Sequence, residues 1–154
     1  MYLYIHCGSE ELDVYVPTGA AGNVVSGVYA HMMGIPIALY VATNENDNVY
    51  NLLRNGKFQL GGRVVPTPAN AMDILYPYNV ERLLALFTEN TLTEKLMTDG
   101  HGEVDEKVLS KIKCIVKDCF RADTDLIYKT VKKCWETSNY MVCIFSVGVK
   151  NICD

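Results

Sequence analysis

The chain has 154 residues, about half of them apolar, and 14 Lys and Arg against 18 Asp and Glu give it a formal charge of −4. Those values describe one globular domain with a core to bury rather than a disordered tail. The acidic balance speaks against nucleic acid, which is normally held on clustered basic side chains.

Taken from its start, "MYLYIHCGSEELDVY" has neither a basic leader nor a long apolar stretch, so it does not read as a signal peptide. The longest apolar run, "YMVCIFSVGV", falls short of the roughly 20 residues that cross a bilayer. A soluble, cytoplasmic protein with no membrane or nucleic-acid partner is expected. The cysteines, Cys7, Cys114, Cys119, Cys134, Cys143 and Cys153, contain no Cys-x-x-Cys pair, and His6, His31 and His101 form no ligand-spaced cluster with them. No metal is expected, and the thiols are expected to be free and buried in a reducing compartment.

Alternation in "LDVYVP" predicts a strand over residues 12–17, followed at once by the small-residue bend Gly19, Ala20, Ala21, Gly22 and Asn23. "NVVSGVYAHMMG" then carries Val24, Val28 and Met32 on one helical face and stops at Gly34. "IPIALYVAT" is apolar almost throughout, as a parallel strand covered on both faces should be. "NENDNVYNLLRNG" reads as a helix opened by polar caps and closed by Gly56, and "GGRVVPT" as a third short strand.

Beyond it, Val80, Leu83, Leu84 and Phe87 recur at helical spacing behind Asn79 as N-cap. Val108, Ile112, Ile115 and Cys119 make a second stripe, and Ile127, Val131 and Cys134 a third. The lysines fall on the other faces, which suits solvated helix surfaces; nine of the fourteen basic residues lie from Lys107 onward and none before Arg54. The expected fold is α/β, a parallel sheet of Rossmann-like strand-helix-strand units with a helical C-terminal part. It is read as a single partial domain, residues 1–76 forming an α/β phosphate-loop region and residues 77–154 a mainly helical one.

Two demands would strip a strand-to-helix bend of bulk. One is close packing of helix on sheet. The other is an anion laid on the backbone, since a helix N-terminus presents free N–H groups and the positive end of the helix dipole. Glycine at φ > 0 would help those N–H groups to converge. The stretch is neither G-x-G-x-x-G nor a Walker loop, so both demands stay open.

The ordered set "VPTGAAGNVVSGVYAHMMGIPIALYVATNENDNVYNLLRNGKF" and "TPANAMDILYPYNVERLLALF" resembles the threonine synthase family, strongly over residues 14–87 and weakly over residues 132–149. The resemblance is nearest to its threonine synthase-like 2 branch, through the Gly-Ala-Ala-Gly-Asn loop and a "CW" segment. It implies part of a pyridoxal 5′-phosphate enzyme of fold type II, eliminating phosphate from small phosphorylated amino acids such as O-phosphohomoserine or O-phosphothreonine. It implies that the loop of Gly19, Ala20, Ala21, Gly22 and Asn23 holds the cofactor phosphate through its amides. Asn44, Asn46 and Asp47 of "ATNEND", and Ala71, Met72 and Asp73 of "AMD", match motifs near the family's active site. For the Asn and Asp residues, helix capping is an equal alternative to substrate contact.

The resemblance also implies a Schiff-base lysine upstream, whereas the first lysine here is Lys57, in a different motif. The family's "CPHSAV" reads Cys143, Ile144, Phe145, Ser146, Val147, Gly148, without the proline and histidine. The expectation is therefore a truncated central piece, inactive alone, with apolar surface that favours self-association. A non-catalytic binding or signalling protein derived from such an enzyme is the alternative. A Rossmann nucleotide binder would use Glu45 on a ribose, but leaves the longer match unexplained.

Overall fold

A computed structural model describes residues 11–147. Strands β1 (Leu12–Pro17), β2 (Ile37–Thr43) and β5 (Val116–Arg121) form one parallel sheet in the order β1-β2-β5. Leu12 stands opposite Ile37 and Pro17 opposite Ala42, so β1 and β2 end level at their carboxyl edges. β2, in the middle, is buried on both faces as its unbroken apolar run requires.

Helix α1 (Gly22–Met32) joins β1 to β2 and lies hard against the latter, for a Cβ added at Gly27 would come within 2.9 Å of Leu39 Cδ1. Val24 and Val28 are buried as expected, but Met32 is 55% exposed and Val25 is buried instead. The last turn of α1 overhangs the sheet, and His31 Nδ1 is bonded there to the Ile37 carbonyl at 2.8 Å. α2 (Asn48–Asn55) closes on Gly56, whose φ of 71° lets its N–H bond the Leu52 carbonyl.

The strand expected at "GGRVVPT" does not form. β3 is the earlier Lys57–Gln59, paired antiparallel with β4 (His101–Glu103) in a separate ribbon. Gly61 and Gly62, at φ 78° and 122°, turn the chain, and the Val65 N–H and C=O are taken by the Asn46 side chain. With its backbone groups so engaged, the segment has none left for a ladder at that point.

α3 (Val80–Phe87), α4 (Asn90–Asp99), α5 (Glu106–Lys113) and α6 (Thr124–Ser138) complete the described elements, with short 3₁₀ turns at Asn70–Met72 and Ile144–Ser146. The stripe of Val108, Ile112, Ile115 and Cys119 is not one helix: α5 stops at Lys113, and Cys119 lies on β5. All four are buried nevertheless, because helix and strand press on the same core. The mainly helical second half thus supplies one strand of the sheet, so both regions share it.

Asn79 occupies the N-cap position of α3 but its side chain caps no N–H. Side-chain caps unnoticed in the sequence come from Asp105, accepting from Val108 N, and Asp123, accepting from Leu126 N. Each is an Asp directly before the first helical residue, a signal present in the sequence.

Of the thiols, Cys119 and Cys134 are buried, whereas Cys114 and Cys143 are exposed, against expectation; both sit where a helix or turn meets solvent. Burial, with a smaller contribution from Asp118, pushes the Cys119 thiol up to about 12. Cys7, His6, Cys153 and Gly148 lie outside the described residues. Among the described residues no helix is long and apolar enough to cross a membrane, and no cluster of three His, Cys, Asp or Glu could hold a metal.

Candidate functional site

The segments that follow β1, β2 and β5 meet at the carboxyl edge of the sheet, where open parallel sheets place their ligands. After β1 the chain bends through Thr18, Gly19, Ala20 and Ala21 into α1. Thr18 N–H bonds the Ala42 carbonyl at 2.8 Å, tying the bend to β2. Thr18 Oγ1 accepts from Ala21 N–H at 3.1 Å and donates to Asn23 Oδ1 at 2.7 Å. Asn23 in turn donates from Nδ2 to the Pro17 carbonyl at 2.8 Å. The bend is therefore closed by Thr18 and Asn23 across its base.

The residue with positive φ is Ala21, at 62°, and not either glycine. Ala21 has no exposed surface, and this left-handed turn starts α1. The glycines serve space instead. A Cβ on Gly19 would lie 2.9 Å from Met72 Cα and 3.1 Å from its carbonyl oxygen; one on Gly22 would lie 3.0 Å from Asn79 Nδ2. Close packing on backbone thus accounts for Gly19, whereas Gly22 meets only the end of a side chain that can move. Among the described residues, however, none accepts from the N–H groups of Gly19, Ala20, Gly22 or Asn23. Four donors at one helix start are what an anion needs, and the first turn of α1 has no acidic residue to repel it.

The residues of "ATNEND" are divided by the fold. Asn44 and Asn46 are 1% and 3% exposed, and both donate from Nδ2 to Asp73 Oδ1, at 2.6 and 3.0 Å. Thr67 adds its Oγ1 at 2.7 Å to the same oxygen and its N–H at 2.9 Å to Oδ2. Asp73 is thereby the knot of a network that holds residues 65–73 over the end of β2, and Met72, beside it, is what Gly19 packs on. Ala71 faces solvent. Asp47 stands apart, accepting from Asn51 Nδ2 at 3.0 Å and pairing with Arg121 at 2.9 Å. Neither Asn44 nor Asn46 caps a helix. Glu45 accepts from Thr124 N–H and Oγ1 at the start of α6, which engages the carboxylate that a ribose would need.

Three residues that the sequence did not link to the candidate site are tied into it by the fold. Thr18 is one, Thr67 another. The third is Asn79, whose Nδ2 donates to the Ala20 carbonyl at 3.1 Å from 59 residues away. The cap pattern made Asn79 conspicuous, but no local signal tells which way its amide turns.

No family model matches this chain. It is 34% identical over 154 residues to threonine synthase-like 2 of Mus musculus, covering 91% of this chain and 30% of that protein. It is 31% identical over 148 residues to threonine synthase of Saccharomyces cerevisiae, covering 84% of this chain and 28% of the relative. The crystal structure of PLP-bound threonine synthase from Brucella melitensis superposes with a TM-score of 0.85 at 31% identity, over 94% of this chain and 32% of that one. Threonine synthase from yeast gives 0.82 at 28% identity, over 92% and 32%. The chain spans about a third of the length of each of these four relatives.

Proposed function

From a sequence and fold related to the threonine synthase family along about nine tenths of the chain, we infer that these residues are the phosphate-holding part of a pyridoxal-phosphate enzyme. The observation that carries the reading is the bend after β1, with four N–H groups and no described acceptor for them. Gly19, Ala20, Ala21, Gly22 and Asn23 would hold the cofactor's phosphate, and Thr18 and Asn23 fix the bend in shape beforehand. Pyridoxal phosphate, when bound, supplies the electron sink for removing a proton and expelling a leaving group. The substrate proposed is a small phosphorylated amino acid, O-phosphohomoserine or O-phosphothreonine, that loses its phosphate. Asn44 and Asn46 keep the neighbouring wall in place, and Asp47 and Arg121 form its charged rim.

Such chemistry needs a lysine beside the cofactor. The atoms nearest the two glycines of the bend belong to the Met72 backbone and to the side chains of Ile74 and Asn79, and Lys57 lies on β3 in the separate ribbon. These residues alone are therefore proposed to hold phosphate without turning substrate over. The same placement of lysines favours, as a second reading, a non-catalytic binding role. Exposed Met32, Met33, Tyr128 and Trp135 support the proposal that the chain self-associates.

Gly22→Val separates anion binding from packing. Its clash partner at 3.0 Å is the movable end of Asn79, so the fold is expected to tolerate it. PLP and phosphate affinity are expected to fall at least about tenfold, which is ~1.4 kcal/mol. Equal PLP titrations for wild type and variant would leave packing as the sole reason for the small bend.

A further inference from the structure

The bend itself carries no cation, yet phosphate at neutral pH is close to a dianion. The first basic residue in the sequence is Arg54, and it is paired with Asp118. Arg121 is paired with Asp47. Arg82 differs: it bonds no acidic residue among those described, and its guanidinium donates to Asn79 Oδ1. The other end of that amide, Asn79 Nδ2, donates to Ala20 O in the middle of the bend. Arg82 is thus one amide away from the loop. The starts of α1 and α3 also converge here, since a Cβ on Gly22 would lie 3.0 Å from the Asn79 amide. Both helix dipoles present their positive ends, while Glu81, in the same turn as Arg82, is exposed.

We propose that Asn79 and Arg82 act as a unit in phosphate recognition: Asn79 is a positioning residue that sets the Ala20 carbonyl aside, and Arg82 supplies the counter-charge that selects a dianionic phosphate. This rests on the phosphate reading of the bend. The arginine is suited to the task because its planar guanidinium can keep the Asn79 bond while turning a second N–H to an oxyanion.

The test titrates the full chain with inorganic phosphate, PLP and pyridoxal, which lacks the phosphate, at low and high salt. Arg82→Gln is expected to weaken phosphate and PLP binding about three- to tenfold at low salt, with pyridoxal unaffected and the melting temperature unchanged. Arg82→Lys should recover part of the loss, and the difference should shrink as salt rises. Lys129→Gln, which removes an exposed charge on α6, should leave affinity as in wild type. Equal binding by wild type and Arg82→Gln would overturn the role of Arg82 while leaving the bend as a phosphate site. Failure of the wild type to bind either phosphate compound would overturn both.

Discussion

Replacing Asp73 by alanine is expected to destabilise the chain by about 2–4 kcal/mol, read as a lower urea midpoint at unchanged slope. The carboxylate accepts from Asn44, Asn46 and twice from Thr67, and Asn44 and Asn46 are almost wholly buried. Asn44 Nδ2 keeps Thr67 Oγ1 at 2.9 Å, and Asn46 Nδ2 keeps the Val65 carbonyl at 2.9 Å. Thr67 N–H has no second acceptor among the described residues, so the loss falls mainly there. Asp73→Asn should be little better, because its amide would set a donor against Thr67 N–H. A change below about 0.5 kcal/mol would mean that the network is incidental to holding residues 65–73.

Gly19→Val is expected to cost about 2–4 kcal/mol and to abolish phosphate binding as well. Here the obstacle is Met72 backbone, 2.9 Å from the added Cβ, and backbone cannot swing aside as a side chain does. The contrast with Gly22→Val is the informative part. One glycine is needed because the wall held by Asp73 touches it; the other faces only an amide that can rotate. Gly19→Val melting with wild-type stability would show that residues 72–74 do not press on the bend.

The elements that the sequence announced are those whose signal is local. β2 is apolar at nearly every position, and the spacing of Val80, Leu83 and Leu84 fits a helix wherever it packs. β5 was hidden because Ile115 and Cys119 continue the spacing of Val108 and Ile112, so a helix and a strand on one core imitate a single helix. Its pairing with β2 joins residues 77 positions apart, as in the bond of Thr43 to Phe120, and no period reports that. "GGRVVPT" failed for the opposite reason: its β-branched residues suit a strand, but Asn46 takes the Val65 backbone. The site shows the same division. The small-residue bend was visible as composition, whereas its dependence on Met72 and Asn79 spans about fifty to sixty positions and exists only in the folded chain. Resemblance marked Asn44, Asn46 and Asp73 as near the site; only the geometry ties them together.

The most direct test of the phosphate reading is a PLP titration of the purified chain, following absorbance and thermal stability together, with borohydride reduction and mass spectrometry at saturation. A stabilising shift without a reducible adduct on any lysine is the expected result, because the bend would hold the phosphate while Lys57, the first lysine of the sequence, lies on the separate β3–β4 ribbon. A specific adduct on a single lysine would contradict the inactive, phosphate-holding role by placing an amine at the cofactor. No shift at all would contradict the binding itself and leave the bend as packing alone.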